Sequence, residues 1–445
     1  MNRTARLATT IALGMAVFAV GALGVVRMRP APAPAATAQL PLPDASALQR
    51  AAAGSSLDAT IASLQSRLRR SPEDWRAAAT LGLAYVQQGR VTADPSYYPK
   101  AEEILRSSLA SAPDDNAPAL VGLAALASAR HDFSAALGYG RRARAAAPFD
   151  ANVHGVVGDA LVELGRYGGA FAAFQRMVDL EPSLASYARV SYARELTGDV
   201  SGARTAMQAA RDVAGTPEDM AFASFQLGQL AWSTGDVDEA ARRYREAASF
   251  DPDWVEPLAG LGRVAWARGD LDGAIARFRT VVTRSPLPEH VVTLGELLAA
   301  AGDRAGARQQ FHLARVEADL FRANGVNVGL ELALFEADHG DPHAAVRAAR
   351  AEWRLRRSIH VADAYAWALH AAGRDVAAAR YIDRALALGT RDARFLYHRG
   401  MIQLALGDAS GAEASLRRAL AVDPWFSVQG SAVAHAALER LDGSP

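Results

Sequence analysis

Apolar residues are arranged along this chain in two different ways. Between Leu7 and Val26 they form one run without a charge, LATTIALGMAVFAVGALGVV, preceded by Arg3 and Arg6 and followed at once by Arg27 and Arg29. Further on they come in helix-length stretches, broken at intervals of about 34 residues by a glycine followed by aspartate or arginine, with an alanine five residues after the glycine. The glycines are Gly89, Gly165, Gly198, Gly235, Gly269, Gly302, Gly340, Gly373 and Gly407. Their alanines are Ala101 (displaced), Ala170, Ala203, Ala240, Ala274, Ala307, Ala345, Ala378 and Ala412. A further copy has His131-Asp132 in place of the glycine pair and keeps Ala136. A fixed period of this length predicts two-helix units stacked into a solenoid.

Each unit reads as helix, tight turn, helix, loop. The glycine supplies the left-handed backbone that ends the first helix, and the residue after it starts the second. The alanine is small because two helices cross there. Pro113, Pro148, Pro182, Pro252, Pro286 and Pro424 close several second helices. These residues resemble the tetratricopeptide repeat, whose pattern is W-x2-LG-x2-Y, then A-x3-F, then P. LGLAYVQQG with Ala101 and Pro113 matches it, as do VGDALVELGRYGGAFAAF with Pro182, LGQLAWSTGDVDEAARRY with Pro252 and LGRVAWARGDLDGAIARF with Pro286. Phe174, Tyr244, Phe278 and Phe311 fill the large aromatic position; Leu105, Met207, Ile382 and Leu416 fill it with aliphatics.

The resemblance covers residues 73 to 425 and implies an all-α, right-handed α-solenoid of about ten units. The first unit carries an insertion, VTADPSYYPK, between its helices. Leu57–Arg70 reads as a lone second helix capping one end, and Phe426–Leu441 as a final helix covering the last apolar face. The eighth unit is degenerate: Gly329 and Ala349 stand where bulk is wanted, and its closing proline is missing.

The division expected is thus an anchor at 1–29, a Pro/Ala-rich linker at 30–54 and the solenoid at 55–441. Twenty residues at 1.5 Å each span roughly 30 Å, the thickness of a bilayer core. Arg27 and Arg29 follow the run directly, and the Ala-x-Ala sites lie well downstream, so an uncleaved single-pass anchor is favoured over a cleaved signal. The flanking charges tilt slightly toward repeats outside the cytoplasm, in a bacterial envelope. Pro30, Pro32, Pro34, Pro41 and Pro43 make the linker an extended spacer.

The resemblance also places the first helices on the concave face, where the family binds extended peptides or partner helices. The inward positions, transferred one by one, give Tyr192, Phe225, Gln229, Trp232, Arg263 and Trp266. Tryptophan and arginine dominate binding hot spots, and a basic group beside indoles suits an apolar peptide bearing a carboxylate. Asp363, Trp367, His370 and Tyr397 form a second inward set; Trp75, Trp254, Trp353 and Trp425, near unit boundaries, read as packing. Lys100 is the sole lysine and lies elsewhere, which argues against the family's lysine grip on terminal carboxylates.

Chemistry finds little purchase. Lysine plus arginine equals aspartate plus glutamate at 48 each, so no basic footprint for nucleic acid exists. With no cysteine, disulfides, thiol catalysis and thiolate metal sites are excluded. Phosphate-cradling glycine loops, a His-Glu-x-x-His helix and a Gly-x-Ser-x-Gly elbow are all missing. The densest ligand cluster is DHGDPH, with Asp338, His339, Asp341 and His343, whose residue types bind zinc or nickel. It coincides with the inter-helix turn of the eighth unit, where such groups cap helices. The expected function is therefore a membrane-anchored scaffold for a protein or peptide partner, without cofactor or catalysis; the alternative is a metal- or small-ligand-binding envelope protein using those turns.

Overall fold

The computed structural model describes residues 57–92, 94–114 and 116–442. The apolar run Leu7–Val26 and the linker at 30–54 lie outside them. Among the described residues no helix is long and apolar enough to cross a membrane, and there is no strand: these residues form 22 α-helices. α1 (Leu57–Arg70) coincides with the lone helix expected from sequence. Five hairpins follow: α2 (Trp75–Thr92) with α3 (Tyr97–Ser111), α4 (Ala117–Ala129) with α5 (Phe133–Ala146), α6 (Ala151–Glu163) with α7 (Tyr167–Leu180), α8 (Leu184–Leu196) with α9 (Val200–Asp212), and α10 (Pro217–Trp232) with α11 (Val237–Phe250). Five more are α12 (Glu256–Ala267) with α13 (Leu271–Arg284), α14 (Pro288–Ala300) with α15 (Arg304–Ala323), α16 (Gly329–His339) with α17 (Pro342–Leu355), α18 (Ile359–Ala371) with α19 (Asp375–Leu386), and α20 (Ala393–Ala405) with α21 (Ala409–Val422). The last helix, α22 (Gly430–Asp442), starts four residues later than expected, because Phe426 turns inward onto Tyr397 (centroids 5.1 Å apart) instead of opening the helix.

Turn chemistry explains the hairpins. Gly165, Gly198, Gly235, Gly269, Gly302, Gly373 and Gly407 have φ between 68° and 83°. The aspartate that follows caps the second helix: Asp199, Asp236, Asp270, Asp303 and Asp408 each accept a hydrogen bond from the amide three residues on. Two glycines depart from the expectation. Gly89 lies inside α2, which runs on to Thr92 because the insertion makes its own turn at Asp94. Gly340 is not left-handed (φ −140°, ψ −132°), and the Glu336 carboxylate takes over its capping role by accepting from the Asp341 amide at 2.8 Å. His131 adopts the left-handed conformation in glycine's stead (φ 58°).

Successive first helices lie against one another (α2 with α4, α4 with α6, α16 with α18), whereas successive second helices are splayed apart. That places the first helices on the inside of the curve. They are correspondingly the more buried: nearly all of α4 and α18 is enclosed. The large side chain of the second helix, aromatic or aliphatic, wedges against the glycines of the first helices, as Leu105 does at Gly82 and Gly122 and Phe174 at Gly158. Tyr244, fully buried, sits so close to Gly228 and Gly260 that a Cβ on either would lie 2.7 Å from its ring.

The curve is tight enough for the chain to return over itself. The inter-helix turn of the second unit meets the loop after the seventh: the Asn327 amide donates to the Arg130 carbonyl at 3.0 Å, and His131 Nδ1 is 2.6 Å from the Asn327 carbonyl. The third unit meets the loop after the eighth, through Arg356 Nη1 to Glu163 Oε2 at 2.5 Å and the Ile359 amide to the Tyr167 hydroxyl at 2.7 Å. The fourth meets the loop after the ninth, where Gly198 covers the Gly389 carbonyl. The fifth and sixth meet the loop after the tenth, where Trp266 meets Trp425 edge-on at 5.6 Å. Each contact is one unit further along both strands of the seam, so the second coil rests on the first in register.

This seam accounts for the degenerate eighth unit. A Cβ at Gly329 would lie 2.7 Å from Glu352 Oε2. Glu352 in turn accepts from Asn327 Nδ2 at 2.7 Å and pairs with Arg356. The absence of a side chain at Gly329 thus makes room for the carboxylate that holds the seam's Asn327 and Arg356.

Candidate partner-binding face

Phe225, Gln229 and Trp232 are spaced four and three residues apart on α10, which puts them on one side of that helix. Arg263 and Trp266 take the matching places on α12. The structure brings these five together. Gln229 Oε1 accepts from Arg263 Nη2 at 2.8 Å and from the Tyr244 hydroxyl. The Arg263 guanidinium lies 5.6 Å from the Trp232 ring centroid, within cation–π range. Phe225 packs against Tyr244 at 5.6 Å and edge-on against Trp254 at 4.8 Å. Tyr192 is not part of this group: its hydroxyl is 3.1 Å from His360 Nε2, across the seam.

Burial divides the set. Phe225 and Trp232 are each 7 % exposed, so they support the face from below. Gln229, Arg263 and Trp266 remain partly accessible. What covers the two buried rings was not expected from the inward-position pattern. Trp254 meets Phe225 from the loop between units, and Trp425, from the loop after the tenth unit, meets Trp266 and packs on the cluster that holds both rings. With Trp425 comes Asp423, buried at 4 % exposure and close enough for its charge to interact with Arg263. Burial pushes the Asp423 carboxyl up to about 6, the Trp425 amide and Arg263 holding it from going further. Burial likewise raises the Tyr244 phenol to about 12. Trp254 and Trp425 each follow an Asp-Pro pair (DPDW at 251–254, DPW at 423–425), a repetition that could have marked them as equivalent.

The second inward set is core. Asp363, Trp367 and Tyr397 are 2 %, 8 % and 6 % exposed. His398 Nδ1 bonds Asp363 Oδ1 at 2.8 Å, while its ring stacks on Trp367 at 4.1 Å. The Trp367 indole donates to Asp338 Oδ1 at 2.6 Å, and His370 bonds Asp375 at 2.5 Å.

The DHGDPH turn is dispersed in the same way. His339 Nε2 is 3.1 Å from Glu296 Oε1 and its ring stacks on Phe311 at 4.3 Å. Asp341 caps α17 by accepting from the His343 amide. Among the described residues no group of three or more histidine, aspartate or glutamate side chains is placed to hold a metal ion. The turn therefore does not form the metal centre that its composition allowed, because three of its four side chains are engaged in separate directions.

A family model for the tetratricopeptide repeat matches residues 117–185, 192–253, 260–319 and 366–424, more than half of the chain. No protein of curated function matches it. Solved structures similar to it include the human IFIT1 dimer with PPP-AAAA (13 % identity, 82 % of this chain and 87 % of that one, TM-score 0.46). The APC/C hetero-tetramer Cut9-Hcn1 is 16 % identical over 86 % of this chain and 81 % of that one, with a TM-score of 0.39. Yeast Tom70 is 14 % identical over 89 % and 88 %, with a TM-score of 0.36. These superpositions are loose. It is the repeat itself, matched in sequence and built as stacked helix hairpins, that shows this chain to belong to the tetratricopeptide repeat family.

Proposed function

We propose that this chain is an adaptor that binds a protein or peptide partner through the inward face of the fifth and sixth units, with Gln229, Arg263 and Trp266 making contact and Phe225 and Trp232 supporting them from below. The observation that carries the reading is the convergence of an arginine, an amide and indole rings on adjacent first helices, in a fold whose described length is taken up by repeats. Arginine and tryptophan concentrate binding energy, and a glutamine already oriented by Tyr244 offers its remaining amide donors to a backbone carbonyl. Affinity capture with the Trp266→Ala and Arg263→Glu variants tests this. Both are expected to lose the partner while keeping the wild-type helical circular dichroism; unchanged capture by both removes the face from consideration.

The same proposal places the array on the outer side of a bacterial cytoplasmic membrane, tethered by Leu7–Val26 and held off it by the proline-rich spacer. The uncharged run of bilayer length with arginines on both flanks supports this. The chain has no cysteine, so one introduced at Leu48 is the only thiol. Labelling of that thiol in intact spheroplasts by an impermeant maleimide is the expected result; labelling only after lysis places the array inside.

A further inference from the structure

The face assigned to a partner is already in contact with a peptide: the chain's own segment between α21 and α22. Asp423 brings a carboxylate into the field of Arg263 and Tyr244. Pro424 lies against the Gly235 turn, its Cδ 2.9 Å from where a Cβ would stand. Trp425 meets Trp266 edge-on, and Val428, like Trp266, packs against the apolar cluster that runs from α12 to α15. Over six residues a stretch built of turns and a bend thus presents an acid, a proline, an aromatic ring and an aliphatic group to one place.

This last step of the seam differs from the earlier ones. The second unit is joined by a backbone hydrogen bond, and the third by a buried ion pair and an amide–hydroxyl bond. Among the described residues no hydrogen bond ties Asp423–Val428 to the fifth and sixth units; ring contact and charge hold it there.

We propose that Asp423–Val428 is a built-in occupant of this face, and that the external partner is a short peptide of the same chemistry: a carboxylate followed two residues later by an aromatic ring. This rests on the partner-binding reading given above and adds the ligand class and a self-occluded resting state. Arg263 recognises the acid, and Trp266 the ring.

The test uses the full chain and a fluorescent, end-capped peptide of residues 422–428 (VDPWFSV). The unaltered chain, its site filled, is expected to bind the peptide weakly. The Asp423→Asn/Trp425→Ala variant, its site vacated, is expected to bind at least about tenfold more tightly, a difference of roughly 1.4 kcal/mol. Adding Trp266→Ala, or replacing the peptide's aspartate by asparagine, is expected to remove that gain. Equal binding to the unaltered and vacated chains overturns the proposal, as does no binding to a vacated chain that still unfolds cooperatively. If the double variant does not fold, the near-isosteric Asp423→Asn chain takes its place, and the same two results decide. Loss of peptide binding while partner capture still depends on Trp266 overturns the self-occlusion alone; capture independent of Trp266 overturns the partner face as well.

Discussion

Gly198 and Gly302 hold the same place in their units with nearly the same backbone, φ 80° and 83°, yet their surroundings differ. A Cβ on Gly302 meets nothing within 4 Å, whereas one on Gly198 would lie 2.3 Å from the Gly389 carbonyl oxygen. Gly302→Ala is therefore expected to cost about 1–2 kcal/mol, the left-handed penalty alone. Gly198→Ala is expected to cost clearly more, because the seam must also part; denaturant unfolding of the two variants separates the contributions. A titratable residue inside the curve gives a second prediction. Burial, then the neighbouring Asp392, pushes Glu195 up to about 7. It holds a proton longer folded than unfolded, so it lowers stability as pH climbs from about 4.5 toward 7. Thermal melts are expected to show Glu195→Gln raising Tm at pH 8 and leaving it unchanged at pH 4. The repeat pattern assigned the turn role of these glycines, but not which of them carries a second layer above it. That depends on partners five units away.

Helices were the most legible level. α1 could be bounded to the residue, since the apolar period, the capping aspartates and the left-handed glycines all act within a few residues of one another. The misplacements fall where something distant intrudes: α22 starts late because Phe426 packs on Tyr397, and α2 runs through Gly89 because an insertion supplies the turn. The junction of α17 and α18 shows the energetic side. Arg356, 5 % exposed, bonds Glu163 on α6 and Glu352 on its own helix, with its guanidinium 4.9 Å from the Phe133 ring. Removing one member of such a buried set strands the other charges, so Glu163→Ala is expected to cost about 3–5 kcal/mol. The exposed Arg106–Glu102 pair on α3 is worth roughly 0.5 kcal/mol at most. A double-mutant cycle on Glu163 and Arg356 in denaturant should give a coupling of about 1–3 kcal/mol, and none if the pair is only adjacent.

At the scale of the molecule the face of the fifth and sixth units was half legible. Family positions gathered Phe225, Gln229, Trp232, Arg263 and Trp266 correctly into one place, because those positions repeat with the period. Their covering by Trp425 and Asp423 was not legible, since it follows from small rotations per unit accumulated over five units. The same accumulation alters how the array should unfold. Open solenoids are nearly one-dimensional, each repeat sensing only its neighbours. Here the second to sixth units touch the seventh to tenth, so local damage should travel. Glu163→Ala in the third unit is expected to raise hydrogen exchange at amides of α17 and α18 together with those of α6 and α7; faster exchange confined to the third unit and its chain neighbours contradicts this.

Resting one coil upon the other also limits how such a chain can change in length. An open array tolerates gain or loss of a repeat, since every junction resembles the next. Here one duplicated hairpin between the fourth and seventh units would present His131 with something other than Asn327, and Glu163 with something other than Arg356, while leaving every nearest-neighbour interface intact. The number of hairpins between matched seam residues is in that sense counted by the fold, much as a thread of fixed pitch admits only whole turns.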